Sequence, residues 1–219
     1  MNKEFEKRIF SSIILILISF FIIIKGSILF NFFLVFCYLL TIYEWHMMNK
    51  AKHFRIIGDI FLFFSYYSAF GLRNMFDEKS LMYFLFILII CISTDIGGYL
   101  FGKIFKGPKL TKLSPNKTYS GMIGGFTCSF LTIFILVENS VLIFDRSVMW
   151  KIDLFIYIFL ASLISQIGDI TISYFKRLSK IKDTGKIIPG HGGILDRVDG
   201  MIFAFPFTYI VLKFNIFIY

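Results

Sequence analysis

At 219 residues, 57% hydrophobic, 20% aromatic and only 17% charged, with a mean hydropathy of +0.77, the chain lies far outside the balance of a water-soluble domain. These values exclude a soluble globule and predict an all-α, polytopic transmembrane helix bundle. The net charge of +9 does not call for nucleic acid, because the basic residues alternate between loops as membrane topology requires, and no nucleic-acid partner is expected.

Apolar runs close to the roughly 20 residues that cross a bilayer place spans at residues 9–24, 28–43, 56–70, 81–101, 121–137, 152–172 and 200–219, about seven in all. The runs are apolar nearly all round, so helices are expected, since open strands would leave backbone groups unsatisfied in lipid. The first two share only a Lys25-Gly26-Ser27 connector, and a re-entrant hairpin is the alternative there. No small-x-small site follows Ile24, so a cleaved signal peptide is not expected. With the N-terminus cytoplasmic, most of the 23 Lys and Arg fall on the cytoplasmic side. Residues 1–80 then form an N-terminal transmembrane region, and residues 81–219 a catalytic region with cytoplasmic loops at 102–120 and 173–199. Cys37, Cys91 and Cys128 fall inside spans without a CxxC pair and read as packing residues.

Carboxylates inside a span are costly and mark function by default. The fourth span carries Asp95 near its cytoplasmic end, and the sixth carries Asp169 just before its expected end at Ile172. Asp196 and Asp199 precede the seventh, with a spacing that puts them on one side of a helical turn. These carboxylates are expected to converge at the cytoplasmic face. Such a cluster, poor in His and Cys, favours a hard cation such as Mg²⁺, which bridges carboxylates to substrate phosphates. Lys176, Arg177, Lys182 and Arg197 share the last loop and Lys117 lies in the earlier one, a set that suits a polyphosphate, although singly each also serves as a positive-inside anchor. The turn Ile188-Pro189-Gly190-His191-Gly192-Gly193 offers glycine N–H groups to an anion.

The stretches Ser173-Tyr174-Phe175-Lys176-Arg177, Lys182-Asp183-Thr184-Gly185 and Ile188-Pro189-Gly190-His191-Gly192-Gly193-Ile194-Leu195-Asp196-Arg197-Val198-Asp199 together resemble the signature of the phosphatidate cytidylyltransferase family, the CDP-diacylglycerol synthases. Ser114-Pro115-Asn116-Lys117-Thr118 and Gly168-Asp169 are similar to the same family. Two positions depart from it: Ser120 and Ile172 stand where the family usually has Glu.

The resemblance implies transfer of a cytidylyl group from CTP to phosphatidic acid, giving CDP-diacylglycerol and pyrophosphate, with Mg²⁺ and a monovalent cation such as K⁺ assisting. It implies Asp169 and Asp196 as metal ligands with Asp199 and Asp95 as partners. Lys176, Arg177, His191 and Arg197 become catalytic phosphate contacts, and Ser114, Lys117, Thr118, Lys182, Gly192 and Gly193 bind substrate. It implies an enzyme integral to a bacterial inner membrane, among membrane lipids, with its site facing the cytoplasm. Gly97, Gly98, Gly124 and Gly125 permit close helix contacts, a homodimer among them. Transfer to another lipid phosphate, a transporter and an inactive structural homologue are the alternatives. A transporter calls for acids near the midplane, whereas Asp59, Asp95 and Asp169 lie toward the cytoplasmic ends of their spans.

Overall fold

The computed structural model describes residues 15–49, 51–111, 117–139, 152–185, 187 and 192–216. These residues form helices α1 (Leu15–Lys25), α2 (Ser27–Met48), α3 (Lys52–Asn74), α4 (Ser80–Phe105), α5 (Tyr119–Glu138), α6 (Ile152–Leu178), the single turn α7 (Leu195–Val198) and α8 (Met201–Lys213). Among the described residues no strand is longer than an isolated Lys109–Thr118 bridge. The all-α membrane architecture is as expected.

Four helices, α2, α4, α5 and α6, are long and apolar enough to cross a membrane, and α1 and α8 are shorter apolar helices. Part of the first expected span lies outside the described residues, and the last one stops short because α8 ends at Lys213. Helix α3 has 23 residues, but Asp59, Ser65 and Ser68 dilute its apolar stretch. Phe32, Ile60, Ile104 and Ile152 are each at least 67% exposed, and outward apolar surface of this extent needs lipid to cover it. Helix α6 outruns its expected end at Ile172 and continues to Leu178. Its 27 residues span about 40 Å at 1.5 Å per residue, more than a hydrocarbon core of about 30 Å. Asp169 is therefore followed by more than two further helical turns.

The contacts draw two compact units, one from the described residues of Met1–Tyr66 and Phe175–Val198, the other from Tyr67–Tyr174 and Asp199–Tyr219. The boundary read near residue 80 follows function; these units follow packing and group the last loop with the N-terminal helices.

In the first unit, Trp45 sets its ring edge-on to Phe175 at 4.9 Å, and its Nε1 donates to the Phe54 carbonyl at 3.2 Å. Gly58 faces the indole, where any Cβ would collide with it. In the second unit, α4 packs closely on α5 because Gly97 and Gly124 lack side chains; a Cβ on Gly97 would strike the Gly124 carbonyl. The small residues noted in the sequence thus serve a contact within the chain. Phe84 stacks on Phe205 at 5.3 Å, Tyr157 Oη meets Thr208 Oγ1 at 2.9 Å, and Thr94 Oγ1 meets Ser162 Oγ at 2.8 Å.

Candidate active site

Each unit carries its own group of polar side chains. In the second unit the group begins with the turn between α4 and α5. Lys106 and Gly107 adopt positive φ (52° and 102°) and end α4. The chain then folds back, with Leu110 N–H donating to Lys117 O at 2.7 Å and Tyr119 N–H to Pro108 O at 3.1 Å. Thr118 caps α5 by accepting the Gly121 N–H at 3.1 Å. Ser120, at one of the positions that depart from the family pattern, donates its hydroxyl to the Lys106 carbonyl. Lys117 Nζ lies 2.9 Å from Asp169 Oδ2 on α6.

Asp169 and Ser165 are four residues apart and share a face of α6. Gly200, at the start of α8, leaves them room: a Cβ there would collide with Ser165 Oγ and come within 3.2 Å of Asp169 Oδ1. Lys117 Nζ, Ser165 Oγ and Asp169 Oδ1 are all buried without a hydrogen-bond partner, so Lys117 and Asp169 meet as charges rather than through an aligned hydrogen bond. A buried carboxylate oxygen without a donor is costly, and it is in the condition in which it ligates a cation or a water. As whole side chains they remain 29% and 19% exposed. Asp95 on α4 is within electrostatic range of both Asp169 and Lys117. Asp199 Oδ1 accepts the Gly200 N–H at 3.1 Å. Ile172, the other departure, is buried at 3% exposure and offers the site no ligand.

In the first unit the group centres on Asp196 in α7. Its Oδ1 takes Lys176 Nζ at 2.8 Å; its Oδ2 lies 2.8 Å from Thr184 N, 3.0 Å from Thr184 Oγ1 and 3.0 Å from Gly193 N. Burial raises the Asp196 pKa, but the Lys176 ammonium and the N–H groups of Gly193 and Thr184 outweigh it and hold the carboxyl below its ordinary value. Gly192 sits at φ 84°, in the left-handed region, and a Cβ there would press on Asp196 Oδ2 at 2.9 Å. The glycine N–H expected to face a substrate anion at Gly193 therefore serves a carboxylate of the chain itself.

Asp95 and Asp169 share a group in one unit, whereas Asp196 belongs to the other, with both oxygens engaged. The helical turn expected to hold Asp196 and Asp199 together stops at Val198. Among the described residues no three His, Cys, Asp or Glu side chains gather closely enough to hold a metal ion. Arg177 turns back to the Ile181 carbonyl at 3.3 Å, while Lys182 and Arg197 are exposed. Ser114 and His191 lie outside the described residues.

Ser165 and Glu44 escaped the sequence reading. Glu44, on α2, is 1% exposed and accepts Thr184 Oγ1 at 2.9 Å, Ile194 N at 2.9 Å and Leu195 N at 2.8 Å. The expected span ended at residue 43 and left Glu44 in a connector. The helix runs on to Met48, and the carboxylate within it was the available signal.

Residues 57–215 match the sequence model of a family described as the cytidylyltransferase family. A protein of Staphylococcus saprophyticus named phosphatidate cytidylyltransferase is 36% identical over 149 residues, 67% of this chain and 55% of that protein. One of the same name from Staphylococcus aureus strain COL is 40% identical over 152 residues, again 67% and 55%. A third, from Brucella melitensis, is 35% identical over 190 residues, 85% of this chain and 66% of that protein. The chain spans about half the length of the staphylococcal relatives it matches.

Proposed function

The chain belongs to the cytidylyltransferase family, and on that premise we propose that it transfers the cytidylyl group of CTP to phosphatidic acid at the cytoplasmic face of a bacterial cell membrane. One observation carries this function: the family match takes in every candidate site residue from Asp95 to Asp199. The three relatives bear the name of the same reaction.

A phosphate oxygen of phosphatidic acid attacks the α-phosphorus of CTP, the bond from that phosphorus to the bridging oxygen breaks, and pyrophosphate leaves with the electron pair. The attacking oxygen is already anionic near neutral pH, so no strong general base is needed. The enzyme has to bring two anions together, hold them in line and neutralise the charge on the leaving group.

Lys117, 2.9 Å from Asp169, is the cation proposed for that work, and Thr118 next to it caps α5. Lys182 and Arg197, exposed cationic residues of the last loop, are proposed phosphate contacts together with His191 and Ser114. Mg²⁺, with a monovalent cation such as K⁺, is the proposed cofactor, and when bound it would neutralise phosphate charge and polarise the α-phosphate. The donors in the second unit fit it: Asp169 keeps an unserved Oδ1 and Asp95 is within range, and Mg²⁺ commonly takes only one or two carboxylates beside substrate phosphates. Asp196, engaged at both oxygens, organises its loop, and it would have to release Lys176 to ligate a metal.

CTP labelled at the α- or the γ-phosphate tests the reaction class. Cytidylyl transfer carries α-label into lipid and leaves γ-label in pyrophosphate. Label from the γ position in lipid would instead mean phosphorylation of a lipid alcohol and would overturn the proposal.

A further inference from the structure

We propose that Glu44, outside the 57–215 family match, is a positioning residue that fixes Thr184 and residues 193–196 for phosphate binding by the cations beside them. This rests on the function proposed above, because Lys182 and Arg197, which flank these residues, are among its proposed phosphate contacts.

A carboxylate buried to 1% exposure is costly unless it is hydrogen-bonded. All three donors to Glu44 come from one distant segment: the Thr184 hydroxyl and the N–H groups of Ile194 and Leu195. The two amides stand at the start of α7, where a helix has N–H groups without internal acceptors. Glu44 therefore holds Thr184, Ile194 and Leu195 at one point on α2. Thr184 has a single hydroxyl proton and stands 2.9 Å from Glu44 Oε2 and 3.0 Å from Asp196 Oδ2, so it links the two carboxylates. Lys176 closes the chain of contacts at the other Asp196 oxygen. Gly193 is confined between these groups, since a Cβ would collide with both Thr184 Oγ1 and Glu44 Oε2. Apolar packing already joins α2 to Phe175, near the end of α6, through Trp45. What Glu44 adds is direction: it sets where the amides and the Asp196 carboxylate stand.

Glu44→Gln keeps the size of the side chain but turns a donor toward amides that need an acceptor; Glu44→Asp keeps the charge and shortens the reach. On the full chain in detergent, hydrogen exchange of the peptide covering 192–198 reads the clamp without turnover, and CTP-dependent lipid labelling per folded molecule reads its use. The expected result is faster exchange in both variants, with KM for CTP raised about tenfold or more in Glu44→Gln and kcat changed by less than about threefold. Glu44→Asp is expected to lie between that variant and the wild type. Unchanged exchange would overturn the clamp, and faster exchange with wild-type KM would overturn its positioning role. A wild-type protein that exchanges normally but labels no lipid would instead remove the proposed reaction, and the exchange arm alone would then decide the clamp.

Discussion

Lys117 and Asp169 meet at 2.9 Å while each keeps a buried polar atom without a hydrogen-bond partner. Asp196, by contrast, is satisfied at both oxygens. A side chain that only holds structure has its polar atoms served; one that awaits a ligand does not. Asp169→Asn and Lys117→Met are each expected to lower lipid labelling about 100-fold with the protein still inserted in the membrane. Near-normal labelling in either, at equal protein level, would contradict its proposed role. Asp196 differs in its pH dependence. Its folded pKa lies below the unfolded value of about 3.9, so its contribution to stability is present above that value and is lost as pH falls through the folded pKa. Asp196→Asn is therefore expected to melt below the wild type at pH 7, and the gap between the two melting temperatures should narrow as the medium is acidified below about pH 4. A gap that stayed constant down to pH 2 would show that the charge of Asp196 is not what holds the loop.

At the scale of elements, α4 and α5 approach closely enough that a side chain at Gly97 would meet the backbone of Gly124 rather than a yielding side chain. Gly97→Leu forces these helices apart and is expected to cost about 1–3 kcal/mol of stability, read as a lower melting temperature in detergent; an unchanged value would mean that the helices do not depend on this contact. Helix type and approximate placement were legible because runs such as 81–101 are apolar on every side, and lipid permits little else. Helix ends were not. Helix α6 continues past Ile172 because the amphipathic stretch Ser173–Leu178 is still helical when it becomes polar, with Lys176 in its last turn meeting Asp196. Hydropathy marks where lipid stops, and the backbone has no reason to stop there. The same error at α2 concealed Glu44, whose partners lie at least 140 residues away and leave no local pattern.

For the whole molecule, the family was legible in the loops at 114–118 and 168–199, where residue types stand at set spacings, and the family match across 57–215 agrees with it. Local partners were less legible, because spacing along the chain says little about which neighbour a side chain meets. Asp95 and Asp169 share a group with Lys117, whereas Asp196 turns to Lys176 and Thr184. The central claim is that this chain, in a membrane, joins CTP to phosphatidic acid. The most direct measurement uses the purified chain reconstituted in vesicles with α-labelled CTP, phosphatidic acid and Mg²⁺, each omitted in turn. The predicted result is lipid-soluble label that needs all three and releases pyrophosphate in equal amount; well-folded protein that yields no such label would contradict the claim.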